Sequence, residues 1–143
     1  MELEGTIFKD GRVWLIEIPS LNLMTQGKTK KEALEMIVDA AIGLAECYFA
    51  SEIEKGFSIT ATEYGKGVVG LTSSNNKILL ALSLKRQREK SGSTVREAAA
   101  RLGSSSPNAY AQYEKGKTRI SLEKYDQLLK AADPHRRSLL RVV

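Results

Sequence analysis

The sequence predicts an α+β chain, with a small antiparallel ββαββ-type unit over residues 1–74 and an all-α unit over residues 75–143. Three observations lead there. Alternating apolar and polar residues in the first half give way to helical spacing in the second. The first 74 residues carry 7 basic and 11 acidic side chains, a net of −4, and the rest carry 15 basic and 6 acidic, a net of +9. The stretch Ser73-Ser74-Asn75-Asn76 at the charge step is short and polar and reads as a linker.

The elements follow in order. "LEGTIF" (3–8) and "RVWLIEI" (12–18) flank Asp10-Gly11, a strong hairpin signal. Pro19 ends the second run because it has no amide proton to give a neighbouring strand. "SLNLMTQG" (20–27) reads as a loop. Thr29 and Glu32 have the spacing of a capping box, in which each side chain satisfies the other's free amide. They open a helix whose Leu34, Ile37, Val38, Ala41, Ile42, Ala45, Tyr48 and Phe49 share one apolar face, with Gly56 as the expected stop. "FSITATEY" (57–64) and "VVGLT" (68–72) then read as strands around Gly65-Lys66-Gly67.

Four helices are expected next. The first runs from about Lys77 to Lys90, and its charged run "KRQREK" is expected to be a solvated face. Thr94 with Glu97 is a second capping box, and that helix closes at Leu102-Gly103. Ser106 as cap and Pro107 at the first helical position open the third, where a missing amide proton costs nothing; it ends near Gly116. Ser121 caps the fourth, Ile120 and Tyr125 are placed to form a hydrophobic staple, and Pro134 closes it.

Two short helices joined by a turn at Gly103, inside a small basic four-helix unit, describe a helix-turn-helix. Its second helix would enter the major groove of DNA. That accounts for the composition of "SSPNAYAQYEKGK" (105–117). Tyr110 and Tyr113 would anchor one side, and the small Ala109 and Ala111 would let the backbone approach closely. Asn108 and Gln112 share the other side and are able to read adenine with paired hydrogen bonds. Ser106 at the helix start is expected to hold a phosphate, and Lys115, Lys117 and Arg119 to bind the phosphate backbone.

Other classes fit less well. One cysteine and one histidine do not make a zinc site, and no metal or cofactor is expected. Cys47 is expected to be buried or half-buried, and His135 to be a solvated tail residue. The longest apolar run, Ile78–Leu82, is far short of a membrane span, and the N-terminus lacks the pattern of a signal peptide, so a cytoplasmic protein is expected. Metal-dependent nuclease chemistry needs converging carboxylates. Glu2, Glu4, Asp10 and Glu17 are the nearest approach in the first strands, and the chain is expected not to be an enzyme. Trp14 is expected in the core. Some of Leu128, Leu129, Leu139 and Leu140 should be free to pair subunits, giving a homodimer or a higher even-numbered oligomer.

The residues "LKRQREKSGSTVREAAARLGSSSPNAYAQYEKGKTRISLEKYDQLLKAAD" resemble the Cro/repressor helix-turn-helix of the xenobiotic-response-element type over about fifty positions. That family often has Gln after the Thr that opens its second helix, reaching a phosphate; Val95 stands there, so the resemblance implies that Arg96 would have to substitute. The passage "GRVWLIEIPSLNLMTQGKTKKEALEMIVDAA" resembles the HicB antitoxin domain, most specifically in TQG and the T-x-x-EAL helix entry. The resemblance implies a degenerate ribonuclease-H-like domain that binds and occludes a small basic ribonuclease toxin, HicA, while the second domain binds operator DNA and represses the shared operon. Under it, Glu17, Leu21, Asn22, Leu23 and Met24 are expected to meet the toxin. The alternative is a free-standing transcriptional repressor whose first domain senses a small molecule, which predicts an apolar pocket with a few convergent polar groups.

Overall fold

The computed structural model describes residues 1–135. The first half is a five-stranded antiparallel sheet of order β3-β2-β1-β5-β4, formed by β1 (Leu3–Asp10), β2 (Val13–Ile18), β3 (Leu23–Gly27), β4 (Ile59–Gly65) and β5 (Val68–Ser73). Helix α1 (Lys30–Phe49) joins β3 at one edge to β4 at the other. The segment expected as a loop is thus largely a strand, and the order is βββαββ. The reason is local. Pro19–Leu21 makes a single tight turn, closed by Asn22 in the left-handed region (φ 49°) with its N–H on the Pro19 carbonyl (3.0 Å). The chain reverses there, and Leu23 to Gly27 pair with Ile18 to Trp14. The last residue of β3 is Gly27, where a Cβ would lie 2.5 Å from the Ala33 backbone nitrogen in the first turn of α1, so only glycine lets the strand end this close to the helix.

One side of the sheet is covered. Ile7, Ile16, Ile18, Val69 and Leu71 pack against Ala33, Ile37, Ala41, Ala45 and Phe49 of α1, the i, i+4 row of that helix. Thr29 caps α1 through its hydroxyl, which accepts the Glu32 N–H (3.0 Å). The Glu32 carboxylate reaches the Lys28 N–H (3.2 Å) rather than that of Thr29, so the return bond of the box lands one residue early. The helix ends at Phe49, seven residues before Gly56, which instead sits in the following loop. Trp14 is half-buried against the core with the Lys30 ammonium 5.0 Å from its ring centroid. Cys47 is exposed, contrary to expectation, because it lies two residues from both Ala45 and Phe49 and so points away from their row.

The second half comprises α2 (Asn76–Ser91), α3 (Val95–Arg101), α4 (Asn108–Ala111) and α5 (Leu122–Ala132). The stretch read as a linker is structured: Ser73 ends β5, and the Asn75 side chain caps α2 by accepting from the N–H groups of Lys77 (3.1 Å) and Ile78 (3.4 Å). Helix α2 then serves two cores. Ile78, Leu79, Ala81 and Leu82 complete the core under the sheet. Leu80 and Leu84 join Ala98, Ala99, Tyr110, Tyr125 and Leu128 in a second core. Leu128 and Leu129 are buried in that core and are not free to pair subunits; Leu139 and Leu140 lie outside the described residues. No described helix is long and apolar enough to cross a membrane.

Candidate nucleic-acid interface

The segment from Val95 to Glu114 is a helix, a turn and a second, shorter helix. Thr94 and Glu97 form the expected reciprocal capping box, each accepting the other's N–H at 3.1 Å. The Thr94 backbone N–H, with the Thr94 hydroxyl beside it, holds the Glu97 carboxyl below the usual carboxylate range. The chain leaves α3 through Leu102 and Gly103, whose amides bond back to the carbonyls of α3. Helix α4 is only one turn and continues as a 3-10 turn over Gln112–Glu114. Its start differs from expectation. The Ser106 side chain makes no cap; the Ser106 carbonyl accepts the Ala109 N–H (3.1 Å), and its own N–H donates to the Ser104 hydroxyl (3.1 Å).

So short a helix has little intrinsic stability. Polar anchors hold it. Tyr110 is fully buried, with its hydroxyl 3.4 Å from the Leu84 carbonyl, and burial pushes that hydroxyl's pKa far up, with Glu114 adding to the effect. Arg88 of α2 grips Glu114 through two parallel bonds, Nε to Oε2 at 2.7 Å and Nη2 to Oε1 at 2.9 Å. Its third nitrogen reaches the Ser93 carbonyl (3.1 Å). The pair is largely shielded, with side-chain exposures of 13% and 8%, and the bond to Glu114 raises the guanidinium pKa above its ordinary value. Tyr113 is half-buried, with the Lys124 ammonium 5.2 Å from its ring centroid.

With that underside tied down, the outward side carries most of the residues singled out from the sequence. Asn108 is exposed at the first position of α4, and Ser106 is exposed just before it. Gln112 is half-buried, one turn along the same side. Lys115, Lys117 and Arg119 are exposed in the following loop, and Arg96 is exposed on the first turn of α3. Lys117 also lies 3.8 Å from the Glu52 carboxylate of the sheet half. Gly116 is buried at this junction (φ +74°), where a Cβ would come 3.2 Å from the Phe49 ring, so no other residue fits without movement.

Residues 84–133 match the helix-turn-helix family model. The matched stretch contains the second half of α2, all of α3, α4 and α5, and the Arg88–Glu114 clamp. A comparison with curated proteins gave no match to the chain. The helix-turn-helix is the part of the molecule built for DNA-binding transcriptional regulation.

The residues expected to meet a toxin are only partly together on the surface. Met24 and Asn22 are exposed, and Glu17 and Leu23 are half-buried. Leu21 is fully buried under the sheet and offers no contact to a partner, because the turn at Pro19 folds it inward. That turn is held by side chains the sequence reading placed in solvent. Arg86 donates to the carbonyls of Leu21 and Asn22, and Gln87 to those of Pro19 and Ser20, all at 2.8 Å. Gln87 itself is fully buried. One signal was legible: Gln87 falls seven residues after Leu80 and three after Leu84, on the buried face of α2, where an amide needs a partner. Glu2 and Glu4 do not converge with Glu17 on a metal site; the Glu2 carboxylate accepts from the Tyr64 hydroxyl, and Glu4 stands opposite Gly70. Among the described residues no group of three metal-ligating side chains is present.

Proposed function

We propose that the chain is an antitoxin and autorepressor of the HicB type, without catalytic activity of its own. Its helix-turn-helix binds the operator. Its sheet half, a degenerate ribonuclease-H-like domain, binds and occludes a small basic HicA-type ribonuclease. The observation that carries the reading is the pairing of a helix-turn-helix, matched over residues 84–133, with an α+β unit whose HicB-like passage folds as β2, a tight turn, β3 and α1. The rival, a small-molecule sensor, calls for an apolar pocket. The cleft between the halves, about 690 Å³, is lined by Glu54, Lys55, Lys77 and Arg119 beside Phe57 and Ile120, which suits that role poorly.

In the operator complex, Asn108 and Gln112 read base edges. Arg96, Ser106, Lys115, Lys117 and Arg119 hold phosphates, and two copies of the chain meet a two-fold site. Asn108→Ala is expected to cost about 1–3 kcal/mol at one base pair and to relax preference there. Lys115→Ala is expected to weaken all sequences alike and to reduce the slope of log K against log salt by about 0.9. Gel shifts over a salt series and a panel of single-base operator variants measure both. Identical behaviour of the two variants would remove Asn108 from base reading. For the antitoxin role, the full chain should block RNA cleavage by a HicA-type toxin in a purified assay; unchanged cleavage at excess chain defeats the reading.

A further inference from the structure

The helices cover one side of the sheet and leave the other open. The registers put Phe8 opposite Leu15, Glu17 opposite Met24, and Val68 opposite Thr6, all on this open side. Phe8 is 44% exposed, Met24 52% and Val68 37%, and Leu15 is half-buried between them. An apolar group of this kind on the face of a sheet marks an interaction surface more often than a free one. The same face carries Glu4 and Glu17 at strand positions, and the Glu2 carboxylate lies over Gly70. Among the described residues no Lys or Arg occupies a position of the five strands on this side; Lys9, the one basic strand residue of β1, pairs with Trp14 on the covered side.

We infer that this open face is where the sheet half docks a small basic protein, the turn at Pro19 serving only as its support. The inference rests on the antitoxin reading and gives its partner a surface. Charge decides the class of occupant. Carboxylates without cations repel the phosphates of nucleic acid and attract a basic protein. Size agrees. Five strands about 4.8 Å apart and about six residues long at 3.3 Å each present a plane of roughly 500 Å². A stable interface takes about 800 Å² from each partner, so a partner covers the whole sheet and its rim. Phe8 and Leu15 pair across the adjacent strands β1 and β2 toward the hairpin end of this plane, just past the Thr6–Val68 pair, and form the aromatic-aliphatic anchor of the patch.

The test uses the full chain and a purified small basic HicA-type toxin, without RNA present, with affinity measured by calorimetry. The variants are Phe8→Lys, Leu15→Lys and Glu17→Lys, with Glu35→Lys on the exposed side of α1 as a charge control. Operator gel shift confirms that each variant is folded. The expected result is a loss of about thirtyfold or more for Phe8→Lys and Leu15→Lys, a smaller, salt-dependent loss for Glu17→Lys, and none for Glu35→Lys. Wild-type affinity in all four variants would overturn the surface while leaving the antitoxin reading in place. Equal losses in Glu35→Lys and Glu17→Lys would overturn it in favour of net charge. A change in self-association by sedimentation, with toxin affinity kept, would assign the face to a second copy of the chain. No binding by the wild type would defeat the reading and the surface together.

Discussion

The two halves of the molecule are held together by different forces. Under the sheet, Ile7, Ile16, Ile18, Ile37, Val69 and Leu71 form a core of branched aliphatic side chains with one long helix against it. The helix-turn-helix has less to bury. Its α3 contributes Ala98 and Ala99, and its α4 contributes one large buried side chain, Tyr110. Directional bonds take up the difference: Arg88 on Glu114, Ser83 on Tyr125 at 2.6 Å, and Arg101 on the Ala131 carbonyl at 2.7 Å. The lesson is a matter of area. A helix that must lie close against a ligand carries small side chains outward and has few positions left for packing. It is then fixed by polar anchors, each of which is costly to lose.

The largest expected effect is Tyr110→Ala. It removes a fully buried aromatic ring and should cost about 3–5 kcal/mol. Urea unfolding followed by circular dichroism measures it, and operator binding should fall with it. A loss below about 1 kcal/mol would show that α4 is held by something other than its tyrosine.

Arg88→Ala should come next. It leaves the shielded Glu114 carboxylate without its partner and should cost roughly 3 kcal/mol. Ile37→Val, at a site just as buried in the sheet half, should cost only about 1 kcal/mol, because a packed aliphatic core loses energy in proportion to the atoms removed. Equilibrium unfolding of the two variants side by side tests the contrast. If Ile37→Val proved the more costly, the distinction between a graded core and an anchored one would collapse.

The smallest effect is one of pH. Glu97 is exposed, and its carboxyl is held low by the Thr94 N–H and hydroxyl. A carboxyl with a lowered folded-state pKa adds stability that is present above its unfolded value, about 4.3, and is lost as pH falls through the folded value. Glu97→Gln should therefore flatten the melting-temperature profile below about pH 4 and leave it unchanged near neutrality. Parallel acid limbs in wild type and variant would remove the capping box from the account.

Much of this was legible in the chain itself. Thr29, Thr94 and Ser121 mark their helix starts because a hydroxyl at the cap position satisfies an amide a few residues on, a requirement met within four residues of sequence. The Asp10-Gly11 hairpin, the apolar row of α1, the charge step and the tyrosine anchor of α4 are equally local patterns. So is the choice of Asn108 and the loop cations as outward residues. What the sequence left open depends on neighbours far along the chain. Residues 23–27 become a strand only because β2 stands beside them to take their hydrogen bonds. Leu21 goes inward, and Arg86 and Gln87 leave the solvent, because the turn at Pro19 brings four carbonyls against α2 some 65 residues later. Within the run "KRQREK" only the spacing of Gln87 after Leu80 and Leu84 points inward; nothing marks Arg86 or names the carbonyls, since a charged side chain reads the same whether it faces water or a distant carbonyl. Only the tertiary structure brings the partner within 3 Å and decides which it is.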